Sequence, residues 1–198
     1  MLEIRGRWAP IIAVLGCLGL TGCSGSDAAP APTTAPTSSR SPTSTPSSTP
    51  TATAPALPAA ARAGTRAGAE AFFRYFWDVY NYSYASLDTA PLRAISDPTC
   101  KFCAQALADL EGARSSSEHF VGGSIELNSA VAGPIDATGG AIVNAVATQS
   151  AGKQLRSDGT VARSFEFQDH ARVDAGVRWE TSKWLTIEVA LRSPTLTP

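Results

Sequence analysis

The sequence has few of the side chains that most often perform acid–base or metal chemistry. Its 198 residues include only two histidines, His119 and His170, and four cysteines, and 17% of its residues are charged. It contains no glycine-rich phosphate loop, no nucleophile elbow and no acidic metal-binding cluster. Its formal net charge of -1 offers no basic surface to nucleic acid. We therefore predict no nucleic-acid partner, and we assign no catalytic residue, cofactor or metal ligand.

A long hydrophobic run is also missing, which decides how the amino terminus is interpreted. Arg5 and Arg7 precede the apolar run "IIAVLGCLGL", which is shorter than the ~20 residues that a membrane-spanning helix needs. A basic start, a short apolar core and small residues after it are typical of a cleaved export signal. The run ends in Leu20-Thr21-Gly22-Cys23, which resembles the lipobox of bacterial lipoproteins. The alternative is an ordinary signal peptide that happens to be cut near a cysteine.

The lipobox resemblance implies removal of residues 1–22 and attachment of diacylglycerol to the Cys23 sulfur. Two acyl chains anchor a protein stably, whereas one chain gives only marginal, reversible binding. The expected localisation is the extracytoplasmic face of the cell membrane, with the lipid bilayer as a partner through acylated Cys23. Cys17 would be removed with the signal peptide.

Residues 23–64 are predicted to form a disordered tether. Apart from the anchoring cysteine, this segment is dominated by Ser, Thr, Pro and Ala. Such a composition buries too little apolar surface to offset the conformational entropy that folding costs. The folded domain is then expected over residues 65–193, and its length suits a single domain.

Three helices are predicted at the start of this domain. In "RAGAEAFFRYFWDVYNYSY" apolar residues recur at three- and four-residue steps, which indicates a helix with an aromatic buried face. Glu70, Arg74 and Asp78 are predicted to form a charged ladder on its solvent side. A short second helix is expected after Asp88 or Thr89, and a third helix after Ser96 or Asp97.

The pattern changes to strands after Gly122-Gly123. "SIELNSAV" alternates apolar and polar residues, and "GAIVNAVATQS" is apolar on both faces and is predicted to be a central strand. Asp158-Gly159 predicts a hairpin turn, and the last two strands are expected to turn near Asp174 to Gly176. Helices followed by antiparallel strands predict an α+β domain with its helices packed on a curved antiparallel sheet.

This order of elements resembles the cone-shaped fold of nuclear transport factor 2-like (NTF2-like) domains. The segment "FFRYFWDVYNYSYASLDTAPLRAISDPTCKFC", about residues 70 to 103, also resembles the core of an uncharacterised family of actinobacterial lipoproteins. The second resemblance brings no established activity with it. Fold-level similarity cannot assign a function, because one fold serves many functions.

Cys100 and Cys103 lie three residues apart at the start of a predicted helix. An oxidising compartment preserves disulfides, and this spacing permits one, so a disulfide that pins the helix start is expected. A redox role is the alternative, because a helix N-terminus lowers the pKa of a thiol. A metal site with His119 or His170 is disfavoured, because the spacings fit no zinc motif.

The function expected from the sequence is a non-catalytic binding or accessory module of the cell envelope. Its partner would be an envelope protein or a small hydrophobic ligand. The candidate pocket lies between the long helix and the sheet and is lined by Trp77, Tyr80, Tyr84, His119 and His170. The alternatives are a thiol-disulfide protein that uses Cys100 and Cys103, and a pocket enzyme of isomerase or hydrolase type.

Overall fold

The structure, a computed structural model, describes residues 53–192. The predicted signal peptide, the predicted lipidation site Cys23 and the predicted tether up to residue 52 lie outside the described residues. No helix in the described range combines the length and the hydropathy needed to cross a membrane. A short 3-10 helix (Ala59–Arg62) is followed by α1 (Arg66–Ser86), α2 (Ala90–Ala94) and α3 (Lys101–Ser115). The strands are β1 (His119–Gly122), β2 (Ile125–Ala132), β3 (Gly140–Gln149), β4 (Gly152–Leu155), β5 (Val161–Phe165), β6 (Gln168–Glu180) and β7 (Lys183–Leu191).

The strands form two antiparallel sheets. The main sheet has the order β2-β3-β6-β7, and a smaller sheet has the order β1-β4-β5. Strand β3 lies between β2 and β6, so the prediction of a central strand is confirmed. Register shifts in the β2–β3, β3–β6 and β6–β7 pairs mark β-bulges, which bend strands. Helix α1 packs on the main sheet, and the predicted α+β class is confirmed.

The core joins large side chains on α1 to small side chains on the sheet. Phe72, Phe73, Phe76 and Trp77 are almost completely buried on one face of α1. The inner faces of β3 and β6 carry mostly alanine and valine, and these small residues leave room for the rings. Burying each large apolar side chain stabilises the fold by ~1.5–3 kcal/mol. The predicted aromatic face of α1 is therefore the centre of the core.

The segment before α1 belongs to the domain, which corrects the predicted tether boundary at residue 64. Ala61 is 2% exposed, and Leu57 packs against the core. The Trp184 indole N–H donates to the Ala63 carbonyl at 3.0 Å, and the Tyr75 hydroxyl donates to the Pro55 carbonyl at 3.4 Å. Composition suggested disorder here because small residues add little buried area by themselves. They pack in this case because aromatic side chains of the folded domain, such as Tyr75 and Trp184, give them a surface to contact.

The start of α3 also differs from the prediction. The helix begins at Lys101, and Cys100 is its N-cap, whose sulfur accepts a hydrogen bond from the Cys103 N–H at 3.2 Å. Asp97 caps a turn instead, accepting from the Thr99 N–H at 2.8 Å and from the Thr99 hydroxyl at 2.6 Å. The Asp97 N–H donates to the carbonyl of Thr186 in β7 at 2.9 Å. Asp97 is therefore held by β7, three residues before the helix cap.

Of the two predicted hairpin turns, one is confirmed and one is wrong. Asp158-Gly159 joins β4 to β5, with Gly159 at a φ of 81° and the Asp158 side chain accepting from the Thr160 N–H. The last hairpin does not turn near Asp174, because β6 continues to Glu180 and pairs with both β3 and β7. The turn lies at Thr181-Ser182, where both residues have positive φ. Neither residue is a common choice for that conformation, so the turn had no clear sequence signal.

Candidate functional site

The space where the pocket was predicted, between α1 and the sheets, is filled by aromatic side chains. Ring centroids are 5.4 Å apart for Phe76 and Trp77, and 5.1 Å apart for Trp77 and Tyr80. Tyr80 stacks on Tyr84 at 4.5 Å, and Tyr84 meets Phe120 of β1 at 4.8 Å. The cavity bounded by Tyr80, Tyr84 and Phe120 measures about 20 Å³, roughly the space of one water molecule.

The two tyrosines of this cluster are core residues rather than acid–base groups. Burial raises the pKa of Tyr80 well above its usual range, and the neighbouring Tyr84 hydroxyl adds to this shift. Burial also raises the pKa of Tyr84. Both phenols are therefore neutral at physiological pH, and Trp77 between the helices is 1% exposed. The structure brings Trp77, Tyr80 and Tyr84 together, but as packing.

The two histidines predicted for the pocket lie outside this cluster. His119 is exposed at the start of β1, where it pairs with Leu155 of the small sheet. His170 lies in β6 of the main sheet with its side chain 75% exposed, and its Nδ1 is 2.8 Å from Asp169. The five predicted pocket residues therefore do not form one site. The reason is that both histidines occupy outward-facing strand positions, whereas the three aromatic residues face the core.

The predicted disulfide between Cys100 and Cys103 is present, with their Cα atoms 5.3 Å apart. Each cysteine is 1% exposed. Phe102, between them in the chain, packs against Trp77 and Tyr80 with ring centroids 5.8 Å away in both cases. Disulfide exchange requires access for an attacking thiolate. The burial of both sulfur-bearing residues favours a structural staple over a redox centre.

The contact between α1 and the edge strand β2 is a feature that the sequence interpretation missed. The Asn81 amide donates to the Ile125 carbonyl at 2.7 Å and accepts from the Ile125 N–H at 2.9 Å. Arg74 donates to the Leu127 carbonyl at 3.1 Å, and Glu70 accepts from the Ala132 N–H at 3.0 Å. Glu70 is half-buried, so the predicted solvent-side ladder is wrong at that position. Arg74 and Asp78 are exposed, as predicted, and Arg74 joins Glu70 and Asn81 in bonding to β2. These side chains cover the edge of the sheet, which would otherwise offer free backbone groups.

A groove of about 500 Å³ lies between α1 and β2, and we call it the α1–β2 groove. Its α1 side is formed by Arg74, Trp77, Asp78 and Asn81, and its other side by residues 124–127. The Trp77 indole N–H has no hydrogen-bond partner among the described residues. Burial raises the pKa of the Asp78 carboxyl, and the Arg74 cation partly offsets this shift. The lining of this groove combines a residue with an unpaired donor and several charged side chains.

A second polar cluster joins the turn before α3 to the main sheet. Arg178 of β6 donates to Asp97 at 2.8 Å and to Glu180 at 3.1 Å. The hydrogen bond from the Thr99 hydroxyl, followed by those from the Thr99 N–H and Arg178, lowers the pKa of Asp97. Each group has a partner within the fold, so the cluster is structural. Within residues 53–192 no three His, Cys, Asp or Glu side chains are placed to hold a metal ion.

Comparison with known proteins gives a family but no activity. No curated protein matches the chain. One similar solved structure is the intermembrane space region of the chloroplast protein ARC6, with 12% identity, a TM-score of 0.47, and coverage of 64% of this chain and 95% of that one. Another is an NTF2-like protein of unknown function from Pseudomonas putida KT2440, with 12% identity, a TM-score of 0.40, and coverage of 66% and 89%. Both TM-scores are below 0.5, and neither similarity supports a conclusion about this chain.

The family comparison covers most of the sequence. Residues 43–190 match the family described as "Family of unknown function (DUF6318)". The match includes all three α-helices and six strands, and it ends inside β7. The expectation of an uncharacterised family is confirmed. The chain belongs to the family of unknown function DUF6318.

Proposed function

We propose that this protein is a lipid-anchored accessory or binding module on the extracytoplasmic face of the cell membrane, without catalytic activity of its own. The anchor is the Cys23 sulfur, which follows Leu20-Thr21-Gly22 at the end of a short apolar run. The polar residues after Cys23 connect this anchor to a domain whose packed structure begins by Pro55. The Cys100–Cys103 disulfide suits a compartment outside the cytoplasm.

The observation that carries the binding-module proposal is the filled space between α1 and the sheets. A ligand pocket usually measures ~300–1,000 Å³, whereas about 20 Å³ remains beside Tyr80 and Tyr84. A small hydrophobic ligand has no volume there, and the histidines are too exposed to act with the aromatic cluster. Binding is therefore assigned to the outer surface of the domain, and an envelope protein is favoured over a small hydrophobic ligand.

The small sheet supports contact with another protein. Val121 and Val161 on this sheet and Phe167 just after it are exposed by 54%, 45% and 59%. Large apolar side chains grouped on one surface are a common feature of protein-binding sites. The β2 edge of the main sheet is covered by α1, and its β7 edge contacts the turn at Ser96. Within residues 53–192, three of the five exposed large apolar side chains lie on or beside the small sheet, and the other two, Val131 and Ile142, lie on the main sheet. The small sheet is therefore the favoured contact surface.

The anchor is tested by replacing Cys23 with Ser and separating membrane from soluble fractions in a bacterial host that processes lipoproteins. We expect the wild-type protein in the membrane fraction and Cys23→Ser in the soluble fraction. Cys17→Ser is the matched control, because Cys17 lies inside the segment expected to be removed, and it should remain with the membrane. If Cys23→Ser sediments with membranes like the control, the anchor assignment is wrong.

The filled interior is tested with benzene as a small apolar probe, followed by NMR of the folded protein. We expect no saturable binding beside Tyr80 and Tyr84 in the wild-type protein, because only about 20 Å³ remains there. Phe76→Ala is the positive control, since removing a buried ring leaves an apolar cavity of the kind that binds benzene. Saturable shifts of the Tyr80 and Tyr84 signals in the wild-type protein would show an open pocket there and would contradict the proposal.

A further inference from the structure

We propose that the α1–β2 groove is a binding site for a neutral, hydroxyl-rich ligand such as a sugar ring, recognised through the Trp77 indole N–H. This site is separate from the filled space beside Tyr80 and Tyr84. Binding at this groove does not depend on whether the chain is anchored to a membrane.

One of the residues that line the groove, Trp77, carries an unpaired donor. Trp77 is 1% exposed and lines the groove, and its N–H has no partner among residues 53–192. The large majority of buried side-chain polar atoms in folded proteins have a hydrogen-bond partner. The aromatic ring itself is explained by packing against Phe76, Tyr80 and Phe102. Packing leaves the N–H without an acceptor, and an acceptor oxygen of a ligand bound in the groove would satisfy it.

Donors and acceptors are mixed along the lining of the groove. Arg74 and Asn81 bring donors, Asp78 and Glu126 bring carboxylates, and Ser124 brings a hydroxyl. A hydroxyl group both donates and accepts hydrogen bonds, so a ligand with several hydroxyls can pair with all of these groups. A simple anion would meet two carboxylates and only one cation. The charge balance therefore disfavours an anionic ligand.

Hydrogen bonds between α1 and β2 fix the two sides of the groove. Asn81 is tied to both backbone groups of Ile125, and Arg74 is tied to the Leu127 carbonyl. These bonds join α1 to β2 at both ends of the groove. Preorganisation of this kind lowers the entropic cost of binding. Its volume of about 500 Å³ lies within the range of natural ligand sites.

The test follows indole N–H signals by NMR while the purified full chain is titrated with glucose, N-acetylglucosamine or trehalose. We expect the Trp77 signal to move saturably with at least one sugar. The Trp184 signal is an internal reference, because its N–H is already bonded to the Ala63 carbonyl. A fixed Trp77 signal with all three sugars, in a sample that also fails to bind an insoluble envelope glycan, would overturn the proposal. A response to acetate or methylammonium in place of sugars would overturn it as well.

Three variants connect binding to the groove. Trp77→Phe keeps a buried ring but removes the N–H, and it should weaken sugar binding about tenfold, which corresponds to one lost hydrogen bond. Asp78→Asn changes an exposed rim carboxylate that the core does not need, and it should also weaken binding. Glu166→Gln, an exposed carboxyl beside the small sheet, is the matched control and should bind normally. If Trp77→Phe and Asp78→Asn both bind like this control, the ligand does not occupy the α1–β2 groove.

A second arm of the experiment distinguishes two possible sources of the ligand, a free saccharide and a longer envelope glycan. Binding to the soluble sugars identifies a free saccharide as sufficient. Co-sedimentation with insoluble envelope glycan without binding to the soluble sugars identifies a longer chain as the ligand. In both cases Trp77→Phe must reduce binding for the proposal to stand.

Discussion

Substitution of Gly68 by alanine tests the finding that the segment before α1 is part of the domain. Gly68 lies in the first turn of α1, and its N–H donates to the Thr65 hydroxyl at 3.1 Å. A Cβ atom at this position would lie 1.9 Å from the Ala63 carbonyl oxygen and 3.2 Å from that of Ala60. The backbone at Ala63 would have to move by roughly 1.5 Å to reach an ordinary contact distance. Gly68→Ala should therefore displace the segment that packs on the core.

The expected loss in the free energy of unfolding follows from the contacts that this displacement breaks. The hydrogen bond from Trp184 to the Ala63 carbonyl contributes about 1 kcal/mol. Partial loss of the apolar contacts of Leu57 and Ala61 costs about 1–2 kcal/mol more. Alanine is a better helix former than glycine, and this substitution by itself stabilises a helix by up to ~1 kcal/mol. The net loss should be about 1–2 kcal/mol, or about 3–8 °C in Tm for a domain of this size.

The assay is thermal unfolding followed by circular dichroism, together with limited proteolysis of residues 53–64. Gly112→Ala is the matched control, because Gly112 lies in α3 and its Cβ would meet nothing within 4 Å. This control should raise stability by ~0.5–1 kcal/mol, since alanine is the better helix former. Gly68→Ala should be less stable than the wild type and cleaved faster before α1. If it is stabilised like Gly112→Ala, the segment does not pack as described.

Three further predictions concern the polar contacts and the disulfide. The pKa of Asp97 is lowered in the folded state, so its contribution to stability is present above about pH 4 and is lost as pH falls through the folded pKa. Asp97→Asn keeps an acceptor for Thr99 and should weaken the acid dependence of urea unfolding; an unchanged slope below pH 4 would contradict this. Asn81→Ala removes both hydrogen bonds to Ile125 and should lower the free energy of unfolding in urea by ~1–3 kcal/mol. The control Gln105→Ala, on the exposed face of α3, should change it by less than ~0.5 kcal/mol. Equal effects of the two substitutions would refute the role of Asn81. Replacing both Cys100 and Cys103 with Ser should cost about 2 kcal/mol or less, because the closed loop is very short, and a loss of the folded state would contradict this.

Local patterns predicted the parts of the fold that local physics determines. The three- and four-residue spacing of Phe72, Phe76 and Tyr80 identified both α1 and its buried face. Asp158-Gly159 identified a hairpin, because glycine tolerates the positive φ that the turn requires. The apolar residues on both faces of β3 indicated its central place in the sheet.

Contacts between distant residues were the ones that the sequence did not reveal. Glu70 and Arg74 have the spacing of a solvent-exposed charge ladder, but their partners at Ala132 and Leu127 lie 62 and 53 residues further along the chain. The need for them arises from the exposed edge of β2, which exists only in the assembled sheet. The extension of β6 past Asp174 likewise depends on pairing with both neighbouring strands.

The candidate site was predicted only in part for the same reason. The sequence identified Trp77, Tyr80 and Tyr84 as residues on the buried face of α1, but whether they line a pocket depends on what faces them. The alanines on β3 and β6 let the rings pack closely against the main sheet. The unpaired Trp77 N–H and the α1–β2 groove depend on how α1 lies against β2. No periodic pattern records that arrangement.

The intact mass of the protein purified from its own membranes tests the central claim most directly. The account predicts a chain that begins at Cys23, carries diacylglycerol on that residue, and has Cys100 and Cys103 joined without free thiols. A chain that retains residues 1–22, or one that begins elsewhere and carries no lipid, would contradict the account of a membrane-anchored domain.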